Sequence, residues 1–349
     1  MNLKRVKIGD RWVGEGEPVF IIAEAGVNHN GNLEMAKRLI EVAAEAGADA
    51  IKFQTFKTDR VITRGAAKAS YQEGPVAETQ YEMVKRLELT KDDFLALRDY
   101  TKGKEILFIS TPFDEESANF LEGLEVPAFK IGSGDLTNLP LLKHIANKRL
   151  PIILSTGMST LEEVKEAVQT ISAVGNPDLI LLHCTSAYPA AFEDANLKAM
   201  ITLREEFQLP VGYSDHTLGI TIPTAAVALG ATVIEKHLTL DKSLPGPDHK
   251  ASLEPDKLKD MVEGVRSVEK ALGSPIKGPT DSEKEMIKLS RKSIVAKTNI
   301  SKGTEIKKEM LCVKRPGTGI APKHLESLIG RIAKVDIEQD EVITGDSLQ

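Results

Sequence analysis

Eight short apolar segments, each followed by a stretch with helical periodicity, restrict the fold of this chain more than any other feature. The segments are apolar at consecutive positions, which is typical of strands buried on both faces; they occupy residues 19–26, 50–56, 106–113, 128–134, 151–157, 179–186, 211–216 and 232–240. Eight such units in succession predict an α/β fold, a parallel (β/α)₈ TIM barrel. An open doubly wound sheet is the alternative, but no glycine-rich dinucleotide fingerprint follows the first segment.

Local signals add detail to this barrel. Residues 1–17 are polar and predict a small hairpin that plugs one end. The polar stretch 57–89 is unusually long for a connection between a strand and a helix, which indicates a lid or substrate loop. Ser159 and Glu162 have the spacing of a capping box and predict the start of a helix that ends near Val174.

The composition changes near residue 275. Residues 1–275 contain the predicted barrel, and residues 276–290 mix Pro, Gly, Ser and charged residues, as linkers do. Residues 291–349 have short β-type segments. They also carry a faint repeat with a constant offset of 37 residues, which relates Ile300, Ile306 and Leu311 to Ile337, Ile343 and Leu348. This repeat predicts a small β-rich domain made of two related units.

Composition and charge exclude several classes of function. The 349 residues carry a formal net charge of −6, which does not suit a nucleic-acid partner. Cys184 and Cys312 are far apart and imply no disulfide framework. The segment MNLKRVKIGD has no apolar signal region, and no run approaches the ~18 apolar residues that a membrane span needs. We therefore expect a cytoplasmic protein with neither nucleic-acid nor membrane partners.

Two histidines stand near the ends of neighbouring predicted strands. His216 follows the strand that begins at Val211, His237 lies in the next strand, and Asp248 follows on a loop. Parallel strands joined by a helix usually lie side by side, so both imidazoles should reach the same rim. Two imidazoles could hold a divalent metal and leave coordination positions open, as in a catalytic site. The alternative is two unrelated histidines, one capping a helix and one in the core.

Lys52 and Lys130 stand inside apolar strands, where a lysine is costly unless it faces an anion or a carboxylate. An ion pair with Glu24 or Glu235 is one explanation. The other is a pocket for phosphate or carboxylate, which the many polar residues at predicted strand ends favour. Besides the lysines and histidines, these are Glu24, Gln54, Thr111, Ser133, Asp135, Ser155, Ser186, Tyr188, Ser214 and Glu235.

The order of motifs resembles that of the sialic acid synthases, the N-acetylneuraminate synthases and their relatives for similar nine-carbon sugars. The matching motifs are IAEAGVNHNG, IKFQTF, FISTPFD, FKIGSGD, ILSTGM, LLHCTSAYP, GYSDHT, IEKHLTLDKSLPGPDHKASLEP and VKRPGTGI. The resemblance implies a TIM barrel, a C-terminal SAF (type III antifreeze-like) domain at 291–349, and a homodimer with exchanged C-terminal domains. It also implies a metal-dependent condensation of phosphoenolpyruvate, N-acetylmannosamine and water to N-acetylneuraminate and phosphate, with cleavage of the carbon–oxygen bond.

The resemblance assigns roles position by position. His216 and His237 match ligands of a divalent metal, Mn²⁺ or Mg²⁺, with Co²⁺ as a further candidate. The positions that match phosphoenolpyruvate contacts are Lys52, Thr111, Lys130, Ser133, Ser155, Ser186 and Ser214. Those that match amino-sugar contacts are Glu24, Gln54, Tyr188, Asp248 and Arg315. Glu24 is also the expected catalytic carboxylate, because water must attack a carbon that becomes cationic.

Two departures from the family pattern bear on the sugar. The chain reads CTSAYP where well-known bacterial members read CTN, and Asp135 replaces a glutamate. The same reaction on another 2-acetamido sugar, giving legionaminic or pseudaminic acid, or on the 6-phosphate sugar, therefore stays open. Two rival functions are a Schiff-base aldolase that uses Lys52 or Lys130 as nucleophile, and an ice-binding or other recognition module in the tail.

Overall fold

The computed structural model describes residues 4–68 and 78–349. It divides into two compact units, Met1–Gly273 and Ser274–Gln349. Its strands are β1 (Val6–Ile8), β2 (Arg11–Val13), β3 (Phe20–Gly26), β4 (Ala50–Thr55), β5 (Leu107–Pro112), β6 (Phe129–Ile131), β7 (Ile152–Ser155), β8 (Leu179–Cys184), β9 (Val211–Asp215), β10 (Val233–His237), β11 (Ser293–Ala296) and β12 (Leu311–Lys314). Strands β3 to β10 are parallel and close into a barrel in chain order, with β10 beside β3. This confirms the predicted TIM barrel.

The helices of the first unit surround this barrel. They are α1 (Leu33–Glu45), α2 (Thr58–Val61), α3 (Gln80–Lys85), α4 (Lys91–Lys102), α5 (Glu115–Gly123), α6 (Leu139–Ala146), α7 (Leu161–Ala173), α8 (Ala199–Phe207), α9 (Thr221–Ala228) and α10 (Pro255–Leu272). Helix α10 buries one apolar face against the barrel through Leu258, Met261, Val262 and Val265. Among the described residues, no helix is both long and apolar enough to cross a membrane.

Helix α7 begins one residue later than the capping-box spacing suggested. The N-cap is Thr160, whose hydroxyl accepts a hydrogen bond from the Glu163 N–H, while the Glu163 carboxylate accepts one from the Thr160 N–H at 2.7 Å. Ser159 and Glu162 have the same spacing. However, the Ser159 hydroxyl donates to the carbonyl oxygen of Gly157 in the preceding turn, which leaves Thr160 to cap the helix.

The barrel interior is apolar at its amino-terminal end. Inward-facing residues of the strands form one cluster with the hairpin β1–β2, and this cluster contains Val6, Ile8, Val13, Phe20, Ile22, Ala50, Ile109, Ala128, Ile153, Ile180, Leu182 and Val233. The predicted N-terminal hairpin is therefore present and packs against this end of the strands. Since side chains alternate along a strand, the next inward-facing residues are Glu24, Lys52, Thr111, Lys130, Ser155, Cys184, Ser214 and Glu235.

The long connection 57–89 is only partly described. Residues 69–77 of the predicted lid or substrate loop lie outside the described residues. The flanking parts form α2 and α3, and Glu88 links them to the barrel rim, because its carboxylate accepts a hydrogen bond from the Thr58 N–H at 2.7 Å and contacts Lys57 at 3.2 Å and Lys85 at 3.1 Å.

The second unit contains helix α11 (Lys284–Ser290), the β11–β12 pair and a small apolar core. Helix α11 falls within residues 276–290, so the segment predicted as a linker is not wholly irregular. All six residues of the faint repeat are buried in the one core. Ile300 and Ile337 pair with each other, each N–H donating to the other's carbonyl oxygen at 2.8 Å.

Hydrogen bonds between the two repeats of the second unit occur in equivalent pairs. A bond donated by the first repeat to the second has a counterpart donated by the second repeat to the first. The Lys302 N–H donates to Asp336 at 2.7 Å, and the Gln339 N–H donates to Asn299 at 2.8 Å, where the two donors and the two acceptors are each 37 residues apart. The short 3₁₀ helices Lys308–Met310 and Gly345–Ser347 are related in the same way. The predicted construction from two related units is therefore seen in the hydrogen bonding as well as in the core.

Candidate active site

Four ionisable side chains form a buried network at the carboxyl end of the barrel. Lys52 Nζ lies 2.7 Å from Glu24 Oε2 and 3.8 Å from Glu235 Oε2, and Lys130 Nζ lies 3.7 Å from Glu235 Oε1. Each of the four is no more than 5% exposed. The network contains two ammonium groups and two carboxyl groups. The ion pairs with Glu24 and Glu235 that were one explanation for the strand lysines are therefore present. The same lysines still border a set of hydroxyl groups.

These hydroxyls are the ones that the sequence placed at strand ends. Lys130 Nζ donates to Ser155 Oγ at 2.7 Å, Lys52 Nζ lies 3.3 Å from Thr111 Oγ1, and Ser214 Oγ donates to Glu235 Oε1 at 2.9 Å. The structure therefore brings five of the seven residues matched to phosphoenolpyruvate contacts into one connected network. Glu235 is its centre; the sequence marks this residue as one of the polar strand-end residues and as a candidate ion-pair partner, without a role of its own.

Burial and pairing shift the pKa values of these groups in different directions. Burial raises the pKa of Glu24 from 4.5 to about 7, although Lys52 lowers it. Burial alone would raise the pKa of Glu235 as well, but Lys130 and Lys52 outweigh it, and its pKa falls below 4.5. For Lys52, burial is outweighed by Glu235 and Glu24, so its pKa rises. Lys130 is less well compensated, and burial lowers its pKa. Of the two carboxyl groups in this network, Glu24 is thus the one whose pKa lies near neutrality.

Ser133 and Ser186, the other two matched residues, meet at Gly157. The Gly157 N–H donates to Ser133 Oγ at 2.9 Å, and Ser133 Oγ lies 3.0 Å from Cys184 Sγ. A Cβ added at Gly157 would lie 2.5 Å from Ser186 Oγ, 2.7 Å from Cys184 Sγ and 2.9 Å from Ser133 Oγ. Only glycine leaves room for these three polar groups. Because Ser133 Oγ accepts from Gly157, its own proton is available for a neighbouring acceptor.

His216 and His237 are brought together as predicted. Their ring centroids lie 5.4 Å apart, and the Tyr188 ring packs against both, at 4.2 Å from His216 and 5.7 Å from His237. His216 Nδ1 donates to the carbonyl oxygen of Thr185 at 2.7 Å, which leaves Nε2 as the ring nitrogen with a lone pair. Burial lowers the pKa of both rings, so both are neutral near pH 7.

These two rings fit a divalent metal. The Nδ1 atom of His237 is buried without a hydrogen-bond partner among the described residues, and Asp248 Oδ2 lies 3.9 Å from it. A buried nitrogen without a partner is costly unless something binds there. Within residues 4–68 and 78–349, no group of three or more His, Cys, Asp or Glu side chains is arranged to hold a metal. Two imidazoles would leave several positions for water and substrate, as catalytic sites do.

The residues matched to amino-sugar contacts are less closely connected. Gln54 Nε2 lies 3.3 Å from Glu24 Oε1, and Asp248 is buried near His237, where burial raises its pKa to about 6. Asp135 lies on the loop after β6, and its carboxylate accepts a hydrogen bond from Asn138 rather than from the lysine network. Arg315 belongs to the second unit, where it is exposed on the loop after β12.

A buried polar cluster that sequence reasoning missed holds the loop that carries Asp248. Asn28 Nδ2 donates to Ser252 Oγ and to the carbonyl oxygen of Leu238, both at 2.8 Å, and Ser252 Oγ donates to the carbonyl oxygen of Asp248 at 2.7 Å. The loops after β3 and β10 are therefore joined where the barrel closes. The motifs NHNG and PDHKAS were the available signal, since polar residues in loops at strand ends often serve a site.

Comparison with known proteins supports the resemblance. Residues 39–277 match the NeuB family, and residues 291–349 match the SAF domain. This chain belongs to the NeuB family. It is 53% identical over 323 residues to the N,N′-diacetyllegionaminic acid synthase of Legionella pneumophila, with 91% of each chain covered. The enzyme of the same name from Campylobacter jejuni is 50% identical over 328 residues, covering 93% of this chain and 98% of the relative.

A solved structure agrees with this assignment. The N-acetylneuraminic acid (sialic acid) synthetase of Leptospira borgpetersenii, crystallised with citrate, superposes with a TM-score of 0.73 at 41% identity. The match covers 82% of this chain and 95% of the Leptospira chain. The family, the synthase class and the presence of a C-terminal SAF domain are therefore shown for this protein.

The convergence at Gly157 leads to a prediction. Gly157→Ala would push a methyl group between Ser133 and Ser186, whose short side chains can rotate away without unfolding the protein. We expect at least a tenfold rise in the KM for phosphoenolpyruvate, about 1.4 kcal/mol, with a melting temperature close to that of the wild type. Gly134→Ala is the control, because nothing lies within 4 Å of an added Cβ there. Equal KM values for both variants would contradict an anion site at Gly157.

Proposed function

We propose that this protein condenses phosphoenolpyruvate with a 2,4-diacetamido-6-deoxy sugar and water, giving N,N′-diacetyllegionaminic acid and phosphate. The methylene carbon of phosphoenolpyruvate forms a bond to the aldehyde carbon of the open-chain sugar. Water adds to the neighbouring carbon, and the bond between that carbon and the bridging oxygen breaks, so phosphate carries the bridging oxygen away. The single observation that supports this reaction best is the buried Lys52–Lys130 network bordered by hydroxyl groups.

The two lysines suit the charges of phosphoenolpyruvate. Lys52 on β4 and Lys130 on β6 face the barrel interior, and contacts with Glu24 and Glu235 hold them there. Ser155 Oγ accepts a hydrogen bond from Lys130, Thr111 Oγ1 accepts one from Lys52, and Ser214 Oγ donates to Glu235. Phosphate and carboxylate oxygens bound in this pocket would orient the enol carbon toward the sugar, and such positioning lowers the entropic part of a barrier. The buried setting strengthens each charge interaction because little water screens it.

Glu24 is the proposed acid–base group. Its carboxyl has a pKa of about 7, so it can both accept and release a proton near neutral pH. A carboxylate next to the carbon that becomes cationic also stabilises that charge, and Glu24 can take the proton from the attacking water. Asp248 and Gln54 border the same region and are proposed to bind hydroxyl or acetamido groups of the sugar.

His216 and His237 are the proposed ligands of a divalent metal, Mn²⁺, Mg²⁺ or Co²⁺. Bound there, such an ion would supply Lewis-acid stabilisation for the negative charge that forms on the aldehyde oxygen. The chain contributes neutral imidazoles, a ring orientation fixed by the carbonyl oxygen of Thr185, and the ring of Tyr188 packed against both histidines.

Removing the metal should therefore stop the reaction. We expect chelator-treated protein to lose activity and to regain it with Mn²⁺, Mg²⁺ or Co²⁺; the restoring ion need not be the native one. His216→Ala and His237→Ala should each lower kcat by about 10²-fold or more while the far-UV circular dichroism stays native. Full activity of the metal-free protein would refute the metal role.

The sugar assignment rests on two relatives of about 50% identity that carry the legionaminic name. N-acetylmannosamine, the first choice from the family resemblance, is the alternative, and the Leptospira sialic acid synthetase at 41% identity favours it.

A panel assay of phosphate release can decide between the sugars. We expect kcat/KM for the 2,4-diacetamido sugar to exceed that for N-acetylmannosamine by at least tenfold, about 1.4 kcal/mol. The 6-phosphate of N-acetylmannosamine and the sugar that leads to pseudaminic acid complete the panel. A tenfold preference for N-acetylmannosamine would return the assignment to N-acetylneuraminate synthase. If none of the sugars in the panel supports phosphate release, the reaction class is refuted.

We also propose a homodimer in which each C-terminal unit serves the partner's barrel. Arg315, on a glycine-rich loop of the SAF domain, would then donate hydrogen bonds to the sugar in the partner's site and help to exclude water. The proposal rests on the family resemblance and on the exposure of Arg315.

Mixed dimers test this arrangement. Arg315→Ala and His216→Ala, each nearly inactive alone, are refolded together. With exchanged units, one site of each mixed dimer receives both lesions and the other is intact, so substantial activity should return. If each C-terminal unit serves its own barrel, every site keeps one lesion. The mixture would then stay as inactive as the two parents.

A further inference from the structure

A fully buried ion pair, Asp215–Lys236, lies on the outer side of β9 and β10, next to the two histidines in the chain. Along β10, Glu235 and His237 face the barrel interior, so Lys236 between them faces the surrounding helices. Asp215 is the register partner of Lys236 on β9 and faces the same way. Both side chains have 0% exposure, on the outer side of the strands where Tyr213 and Ile234 belong to the apolar cluster.

The pair is tied to the turn that follows His216. Lys236 Nζ donates to Asp215 Oδ2 and to the carbonyl oxygen of Thr217. Asp215 Oδ1 accepts from the Thr217 N–H at 3.0 Å, and Oδ2 accepts from Thr217 Oγ1 at 3.2 Å. One ammonium group, that of Lys236, therefore binds both Asp215 and Thr217, the residues on either side of His216. Lys236 itself directly precedes His237.

Stability alone does not account for this pair. A buried ion pair carries a desolvation cost, and apolar residues of similar volume often stabilise a fold as well or better. The neighbouring outward-facing residues of β9 and β10, Tyr213 and Ile234, belong to the apolar cluster and form no ion pair. What an apolar pair cannot do is bind the backbone N–H and carbonyl oxygen of Thr217, directly after His216, because it has neither donors nor acceptors.

Further hydrogen bonds hold the same two histidines. The carbonyl oxygen of His216 accepts from the Ala190 N–H at 2.9 Å, and that of His237 accepts from the Leu253 N–H at 2.7 Å. Two imidazoles on separate strands can share one ion only if their backbones keep a fixed separation, and displacements of about 0.5 Å already degrade such a site. Outer hydrogen bonds of this kind tune metal affinity in proteins.

We propose that the Asp215–Lys236 pair is a positioning device that sets the separation of His216 and His237 for one divalent cation. This inference rests on the proposed metal role of the two histidines. Asp215 and Lys236 touch neither the cation nor the substrates. They act through the Thr217 turn and through the backbone of β10.

The test measures Mn²⁺ binding by titration calorimetry on the full chain without substrates. The variant Asp215→Asn/Lys236→Met removes both charges together, so that no buried charge is left unpaired, and Asn can still accept from the Thr217 N–H. We expect its affinity for Mn²⁺ to fall by at least tenfold. Thr217→Val removes one hydroxyl at nearly constant volume, and we expect about a threefold fall.

A second ion pair at the opposite end of the barrel supplies the control. Asp49 accepts from the Ile21 N–H at 2.7 Å and pairs with Arg266 at 3.1 Å. The variant Asp49→Asn/Arg266→Met should lower the melting temperature of the metal-free protein and leave the affinity for Mn²⁺ unchanged. Comparing affinity with melting temperature separates a positioning role from a general loss of stability.

Each outcome has a distinct meaning. If Thr217→Val and the Asp215/Lys236 variant bind Mn²⁺ as tightly as the wild type, the positioning role is wrong while the proposed function stands. If the Asp49/Arg266 control loses as much affinity, the effect is general destabilisation and the inference fails. If the wild type binds no Mn²⁺, the proposed metal site itself is wrong, and the positioning role falls with it.

Discussion

The site depends on keeping two lysines charged inside a barrel whose other half is apolar. Removing an ammonium group from water costs several kcal/mol, and carboxylates nearby must offset that cost. Glu235 lies between Lys52 and Lys130, and Glu24 contacts Lys52, so the four groups form one neutral assembly. The barrel can therefore fold without a bound anion. An anion bound by the lysines would compete with these carboxylates, and that competition is weaker if one of them gives up its charge.

Glu24 is the carboxyl that can do so. Its pKa of about 7 contrasts with that of Glu235, which two lysines hold below 4.5. The difference follows from geometry: Glu235 has a lysine on each side and a hydroxyl from Ser214, whereas Glu24 has one close lysine. The two carboxyl groups thus differ in their surroundings: Glu235 contacts both lysines and has a lowered pKa, whereas the pKa of Glu24 is raised toward neutrality.

Much of this arrangement could be predicted from the sequence, and the reasons are physical. The eight strands were found because strands buried on both faces are apolar at consecutive positions, and the second unit because Ile300 and Ile337 occupy equivalent places in a repeat. Lys52 and Lys130 were noticed because lysine is rare in such strands. In each case the unusual residue or pattern is costly unless the predicted environment exists, which makes the signal specific.

Other features could not be found in this way. The choice between Ser159 and Thr160 as N-cap depends on a turn whose hydrogen bonds the spacing does not reveal. Lys236 resembles Lys52 in its strand context, yet it faces the opposite side of the sheet, and only the register with Asp215 shows its partner. The sequence places Glu235 at a strand end and offers it as an ion-pair partner, but only the structure shows that this one carboxylate contacts both lysines.

The identity of the sugar is the hardest property to derive, and the distribution of burial explains why. Five of the seven residues matched to phosphoenolpyruvate contacts lie on strands, where neighbours on both sides fix each side chain and a change is costly. Tyr188, matched to a sugar contact, and Asp135, where the chain departs from the family pattern, lie on half-buried loops, and Arg315 belongs to a separate unit. Loops tolerate substitution far better than barrel strands. Relatives can therefore keep the reaction while changing the sugar, and an identity near 50% supports the chemistry more firmly than the choice among acetamido sugars.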